Sequence, residues 1–223
     1  MACSQLRPGW LGAALIAALA VGSVACAAPS SRYVQDGSKN TFFAIPADWT
    51  VVDRTPGQTS SGGANPYQTT GDPVVYSSVF APDASLASGS NGPLSFDVDQ
   101  PLGFTTVFAL TPDEQDQISM KILRNQIFDI DSLYSRDPNA IIMFQSDPLL
   151  DQGYRGEHLV YSLRASPDPT IPYSASVTIN QTSYLDPTGS HAYQFVIGCR
   201  STCYQDNAST IEAVVRSWSV TPS

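Results

Sequence analysis

The stretch from Gly153 to Ile197 constrains the fold most. Gly153-Tyr-Arg-Gly-Glu-His-Leu-Val-Tyr-Ser-Leu sets a glycine at a bend and then alternates through Leu159, Tyr161 and Leu163. A period of two is what a strand with one buried face requires. Tyr173 to Ser183 and Ala192 to Ile197 are two further runs with strand character, and Asp186-Pro-Thr-Gly189 between them is a turn sequence. These runs predict a long antiparallel meander. Upstream, Thr41–Ile45 and Trp49–Val52, separated by Pro46-Ala-Asp, read as a hairpin-like opening. Val74–Phe80, Leu94–Val98, Phe104–Leu110 and Ile141–Phe144 supply further strands. Two polar stretches interrupt them: Arg54–Asp72, rich in Gly, Ser, Thr and Pro, and Pro82–Pro93, both expected as surface loops. A long loop of the first kind is a place for function, and Tyr67 within it reads as a packing pin.

Two helices complete the pattern. Thr111-Pro-Asp-Glu114 has the cap, the first-position proline and the reaching glutamate of a capping box, and Ile118, Ile122, Leu123 and Ile127 follow at helical spacing. One helix ending near Asp129–Ser132 is expected, with Asp113, Glu114 and Asp116 as charges at its start. Ala208–Ser217 places Ile211, Val214, Val215 and Trp218 at i, i+3, i+4 and i+7, with Asp206 or Ser209 as cap and Ser217–Val220 as a closing strand. Trp49 and Trp218 are expected in the core. The fold class is therefore α+β, an antiparallel sheet packed by helices in a single domain.

The amino-terminal end has a different character. Behind Arg7, Trp10–Cys26 is apolar and small, too short for a comfortable membrane span and built like a secretory signal. Ser23-Val24-Ala25-Cys26 resembles a bacterial lipobox, although Ser23 stands where that pattern has an aliphatic residue; Ala25-Cys26-Ala27 also suits an ordinary small-x-small peptidase. The lipobox is favoured. Residues 1–25 are then a signal peptide, Cys26 is the lipidated first mature residue, residues 26–32 form a short tether and residues 33–223 form the domain. The expected location is the extracytoplasmic face of the cell membrane, with secretion as the alternative. Each buried methylene of such an anchor contributes about 0.8 kcal/mol of membrane affinity.

Removal of residues 1–25 takes away Arg7 and no acid, which moves the net charge from −9 to −10. An acidic domain lacks the cationic stripe that neutralises phosphates, so nucleic acid is not expected as a partner. With Cys3 in the signal and Cys26 in the anchor, Cys199 and Cys203 remain as one pair in an oxidising compartment, and a structural disulfide is expected. Zinc needs about four Cys and His ligands, and the chain adds only His158 and His191. No metal, cofactor or catalytic residue is expected.

The chain contains no Gly-x-Ser-x-Gly elbow. Ser190-His191 sits in a turn, and Glu157 and His158 are neighbours in a strand, so their side chains point to opposite faces. Asp97-Val-Asp99 and Asp129-Ile-Asp131 lack the glycine and terminal glutamate of a calcium loop and read as solvated turn carboxylates. An enzyme would show a deep polar cleft with perturbed acids; a binding module would show a shallow aromatic and apolar surface.

Taken in order, the aromatic strand into Ile45-Pro46-Ala-Asp-Trp49, the capped central helix, Gly153-x-x-Gly156 before a Tyr-bearing strand, the strand ending at Gly198, and the final helix with Ser217-Trp218-x-Val220 resemble the PsbP-like fold. The similarity is greatest to the LpqN-type lipoproteins of actinobacterial envelopes. It implies a single α+β domain that acts as a binding or accessory protein, with an envelope protein or a small ligand as partner. A secreted hydrolase with an unrecognised carboxylate site is the alternative.

Overall fold

The structure is a computed structural model that describes residues 30–35, 41–54, 74–89, 95–151, 153–165 and 174–221. Its centre is the meander. β6 (Ile141–Asp151), β7 (Tyr154–Leu163), β8 (Val177–Leu185) and β9 (His191–Arg200) run antiparallel, each beside the next. The β8–β9 turn is the expected one, with Gly189 at φ 72°. β9 then pairs with β5 (Leu102–Ala109), β5 with β4 (Val74–Ala81), and β4 with β3 (Thr50–Arg54). The result is a seven-stranded sheet of order β3-β4-β5-β9-β8-β7-β6.

Period two divides this sheet into two faces. Leu159, Tyr161 and Leu163 of β7, Val177 and Ile179 of β8 and Val196 of β9 face one core, together with Ile127, Ile130 and Leu133 from the β5–β6 connection. Phe80, Phe195 and Ile197 face a second core. There they meet Phe43 and Ile45 of β2 (Thr41–Pro46) and Ile211, Val214 and Trp218 of the carboxy-terminal helix segment. Ring centroids of Phe43, Phe80 and Phe195 lie 5.1–5.3 Å apart, and Trp218 stacks on Phe195 at 5.4 Å. Trp49 and Trp218 are both buried, as expected.

Several expectations are corrected. β2 and β3 form no hairpin: β2 lies between β1 (Ser31–Gln35) and β10 (Ser219–Val220) in a separate three-stranded sheet. The bend at Pro46–Trp49, closed by Trp49 N–H donating to the Pro46 carbonyl, carries the chain from one sheet to the other. β1 also begins at Ser31, inside the span given to the tether, because its backbone pairs with β2. Within the expected polar loop lies α1 (Ala84–Ser88), whose Asp83 carboxylate accepts from Ser85 N–H. Residues 95–98 form no strand, yet Phe96 is fully buried.

The single helix after Thr111 is three: α2 (Pro112–Gln117), α3 (Met120–Arg124) and α4 (Ile130–Arg136). The capping box at Thr111 and Glu114 is present. The run breaks at Ile118–Ser119, which are extended, and Ser119 caps α3. It breaks again where the sheet takes the helix carbonyls. Buried Gln181 of β8 donates to the carbonyls of Leu123 and Arg124, and Gln194 of β9 donates to Gln126. Buried amides must be paired, so this capture outweighs continuation of the helix.

The last helix spans Ala208–Ser217 as expected, numbered α6, but it starts from Asn207 without a side-chain cap. It follows α5 (Ser201–Asp206), which the sequence did not suggest. Ser217 explains the terminal Ser-Trp pair: its hydroxyl accepts from Ala44 N–H at 2.8 Å and donates to the Val214 carbonyl, which fastens α6 to β2.

Below the sheet edge, Arg200 binds Asp97 at 2.6 Å and Asp99 at 2.8 Å, while Ser174 donates twice to Asp97. The Ser174 hydroxyl first, and then the Arg200 guanidinium, hold the Asp97 carboxyl down at about 2. A depressed carboxylate contributes stability above its ordinary value and loses it as pH falls through the folded value. Asp97→Asn should therefore lower stability by about 1 kcal/mol at pH 6, after allowance for screening at the partly exposed Arg200, and the difference from wild type should shrink below about pH 4 and be lost as pH falls through about 2. Urea unfolding across that range measures it; a gap as large at pH 2 as at pH 6 contradicts the assignment.

Candidate functional site

On the second face, β2 and α6 cover β5 and β9, and the cover stops short of β6. His158, Val160 and Ser162 of β7 and Thr178 and Asn180 of β8 point away from the core formed by Leu159, Tyr161, Leu163, Val177 and Ile179, and Ser162, Thr178 and Asn180 are themselves buried. These five side chains line a groove of about 730 Å³. Ser201, Tyr204 and Gln205 of α5 flank it, with Glu212, Val215 and Arg216 of α6 beyond, and Phe144 and Gln145 of β6 lie on the opposite side. The pairing of β6 with β7 slips between Met143 and Gln145, so Phe144 is the bulged residue and is 62% exposed. Bulges re-aim side chains in this way near functional sites.

Two hydrogen-bonded ladders cross the floor from β7 to α5. In the first, Asn180 Nδ2 donates to Tyr204 Oη at 3.3 Å, which leaves Asn180 Oδ1 to accept from His158 Nε2 at 2.9 Å. In that arrangement Nε2 of His158 carries a proton and Nδ1 makes no hydrogen bond among the described residues. In the second, Thr178 donates to Ser201 at 2.9 Å, so Ser162, 2.6 Å from Thr178, must donate to it. Both ladders end on α5 at hydroxyl groups three residues apart. Burial pushes the Tyr204 phenol up, so its proton stays in place at neutral pH. Glu212 and Arg216, the charged residues at the lip, pair with each other one helical turn apart.

Cys199 and Cys203 form a disulfide with Cα atoms 6.0 Å apart. It does more than close a turn. It ties the end of β9 to α5, one residue before Tyr204, and so holds one side of the groove.

The other residues singled out in the sequence lie elsewhere. Cys26, Tyr67 and residues 55–72 of the long loop lie outside the described residues. Glu157 and His158 do point to opposite faces: Glu157 is buried toward Arg124 and accepts from Ser146 at 3.0 Å. His191 gathers Ser190 at 2.9 Å and Asp186 at 3.3 Å, but both contact the same nitrogen, Nδ1. A catalytic relay needs acid and nucleophile on different ring nitrogens, so this cluster closes a turn. Asp97 and Asp99 are taken by Arg200, Asp129 caps α4, and Asp131 binds Arg124 and Asn125. The carboxylates held below their ordinary range, Asp83, Asp97, Asp131 and Asp186, all lie outside the groove. No group of three or more His, Cys, Asp or Glu among the described residues is arranged to hold a metal ion.

Asn180, Thr178, Ser201 and Tyr204 were not singled out. The signal that could have found the first two is the polar half of the β8 alternation, Thr178-Asn180-Thr182, which an ordinary buried strand would fill with apolar residues. Ser201 and Tyr204 needed α5, a helix of six residues with no side-chain cap.

No protein-family model and no curated protein matches the chain. Among solved structures, the cyanobacterial PsbP (CyanoP) of Synechocystis sp. PCC 6803 is similar with a TM-score of 0.50 at 11% identity, covering 90% of this chain and 99% of that one. LpqN, involved in cell envelope biogenesis of Mycobacterium tuberculosis, gives 0.47 at 13% identity over 86% and 91%. The Saccharomyces cerevisiae Ran-binding protein Mog1p gives 0.43 at 10% identity over 85% and 95%. With its antiparallel sheets, helices on the faces and single domain, the chain has the PsbP-like fold.

Proposed function

We propose that the protein is a non-catalytic binding or accessory module of the cell envelope, anchored through lipid at Cys26, that holds its ligand in the groove between β6–β8 and α5–α6. The observation that carries this is the makeup of the groove floor. Its hydroxyls, amide and imidazole are bonded to one another, Glu212 and Arg216, the acidic and basic residues of its described lining, pair at the lip, and no nucleophile among the described lining residues is polarised by a base and an acid. Such a surface can recognise and orient; none of its described residues is poised to break a bond. Nothing in the Glu157 or His191 clusters favours the hydrolase alternative.

The test is photo-cross-linking in the protein's own cells. A photoreactive residue replaces Gln205, which lines the groove, or Asp113 on α2, which does not. Envelope adducts are expected from position 205 and not from 113, and should be lost when Cys26→Ala removes the anchor. Identical adducts from both positions, or none from 205, would defeat the proposal.

A further inference from the structure

Resting on the groove as the functional site, we propose that its ligand is a neutral saccharide. Charge comes first. The floor offers hydroxyls, an amide, a phenol and an imidazole, and the Glu212–Arg216 pair at the lip is already neutralised. A charged ligand would meet no unpaired counter-charge among these residues, since Glu212 and Arg216 bind each other, and on a chain of net charge −9 an anion would also be repelled. A purely apolar ligand would cover two hydrogen-bonded ladders and leave their remaining valences dry.

Those remaining valences specify the partner. Thr178 uses its proton on Ser201, so the Ser201 hydroxyl proton is left to donate. Tyr204 accepts from Asn180, so its phenol proton is also left to donate. At the other end of the first ladder, Nδ1 of His158 has no partner among the described residues, and in the unprotonated ring it accepts. Two donors thus stand on α5 and one acceptor on β7, all three residues lining the groove. A sugar hydroxyl both accepts and donates, and adjacent hydroxyls on a ring satisfy such a split set without any charge. Phe144 adds the other half of the recognition. Its exposed ring at the β6 bulge lines the groove and offers an apolar plane for the C–H face of a pyranose. The volume, about 730 Å³, falls within the range of small-ligand sites and admits a short oligosaccharide.

The experiment uses the full protein isolated from the envelope in a detergent without a sugar head group. Maltose, cellobiose and maltotriose are the probes, with glucuronate and octanoate as charged and apolar controls, read by saturation-transfer NMR and calorimetry. At least one neutral sugar should bind, with Kd roughly in the millimolar range or tighter. Tyr204→Phe, which keeps the ring and removes one donor, should weaken binding roughly three- to tenfold, and Phe144→Ala about tenfold or more. Circular dichroism on the same samples checks that the variants fold. Absence of transfer from all three sugars, tighter binding of glucuronate or octanoate, or unchanged binding by both folded variants would each overturn the assignment. If position 205 still yields an adduct in cells, the groove remains the site and only the saccharide class falls.

Discussion

Trp218→Ala should lower the stability of the domain by about 3–5 kcal/mol, a large share of the roughly 5–15 kcal/mol typical of a domain. Trp218 is 8% exposed and lies at the end of α6, where three elements converge. Its ring packs on Phe195 of β9 and on Tyr184 of β8, each at 5.4 Å, and its chain neighbours Ser219 and Val220 form β10, which pairs with β2. Alanine would open a cavity bounded by strands that cannot collapse into it. Trp218→Phe separates packing from hydrogen bonding, because the indole Nε1 is buried with no hydrogen-bond partner. Phenylalanine gives up volume but no hydrogen bond, so it should cost only about 1–2 kcal/mol. Urea unfolding of the three proteins reads both numbers. If alanine costs less than about 1 kcal/mol, this aromatic junction does not hold the two sheets together.

How much of this was legible in the sequence differs by element, for physical reasons. Leu159, Tyr161 and Leu163 announced β7 because they make one face of its second half apolar. Ile211, Val214 and Trp218 announced α6 in the same way. The break of the central helix was hidden, since its cause lies at Gln181 and Gln194, whose amides reach the helix only after the meander has formed. The false hairpin at Pro46–Trp49 has a similar origin. Short strands joined by a turn are ambiguous until their partners are known, and β2 pairs with β1 on one side and with β10, at the far end of the chain, on the other. The groove was least visible. Of its polar residues His158 was weighed for chemistry, beside Glu157 and as a zinc ligand, whereas its bond to Asn180 makes it part of a hydrogen-bonded ladder. Polar residues within a strand become a site only where the neighbouring layer stops, and that boundary is set by α5 and the disulfide.

Gly156→Ala tests the spacing on which both the core and the groove depend. Where a glycine has ordinary backbone angles, alanine commonly stabilises a protein by about 0.4–1 kcal/mol because it restricts the unfolded chain. At position 156 the sign should reverse. A Cβ there would stand 2.1 Å from the carbonyl oxygen of Ser183 and 2.8 Å from Cδ1 of Tyr184. The first obstacle is backbone in an interior strand, and it cannot retreat without parting β8 from β7, which are paired through Gly156–Tyr184 and Glu157–Ser183. The second is a ring held between Tyr154 at 6.3 Å and Trp218 at 5.4 Å. Overpacking of this kind costs about 1–3 kcal/mol, and the upper half of that range is expected because one of the two contacts is to backbone. The displacement would also reach the groove. His158 is two residues along the same strand, so separation of the strands here lengthens its bond to Asn180, and the first ladder loses its acceptor position. Gly156→Ala should therefore lower the urea midpoint and shift the His158 imidazole resonances together. Unchanged stability would mean that β7 and β8 do not approach this closely. Lost stability with unmoved imidazole resonances would mean that the core senses the methyl group and the groove does not.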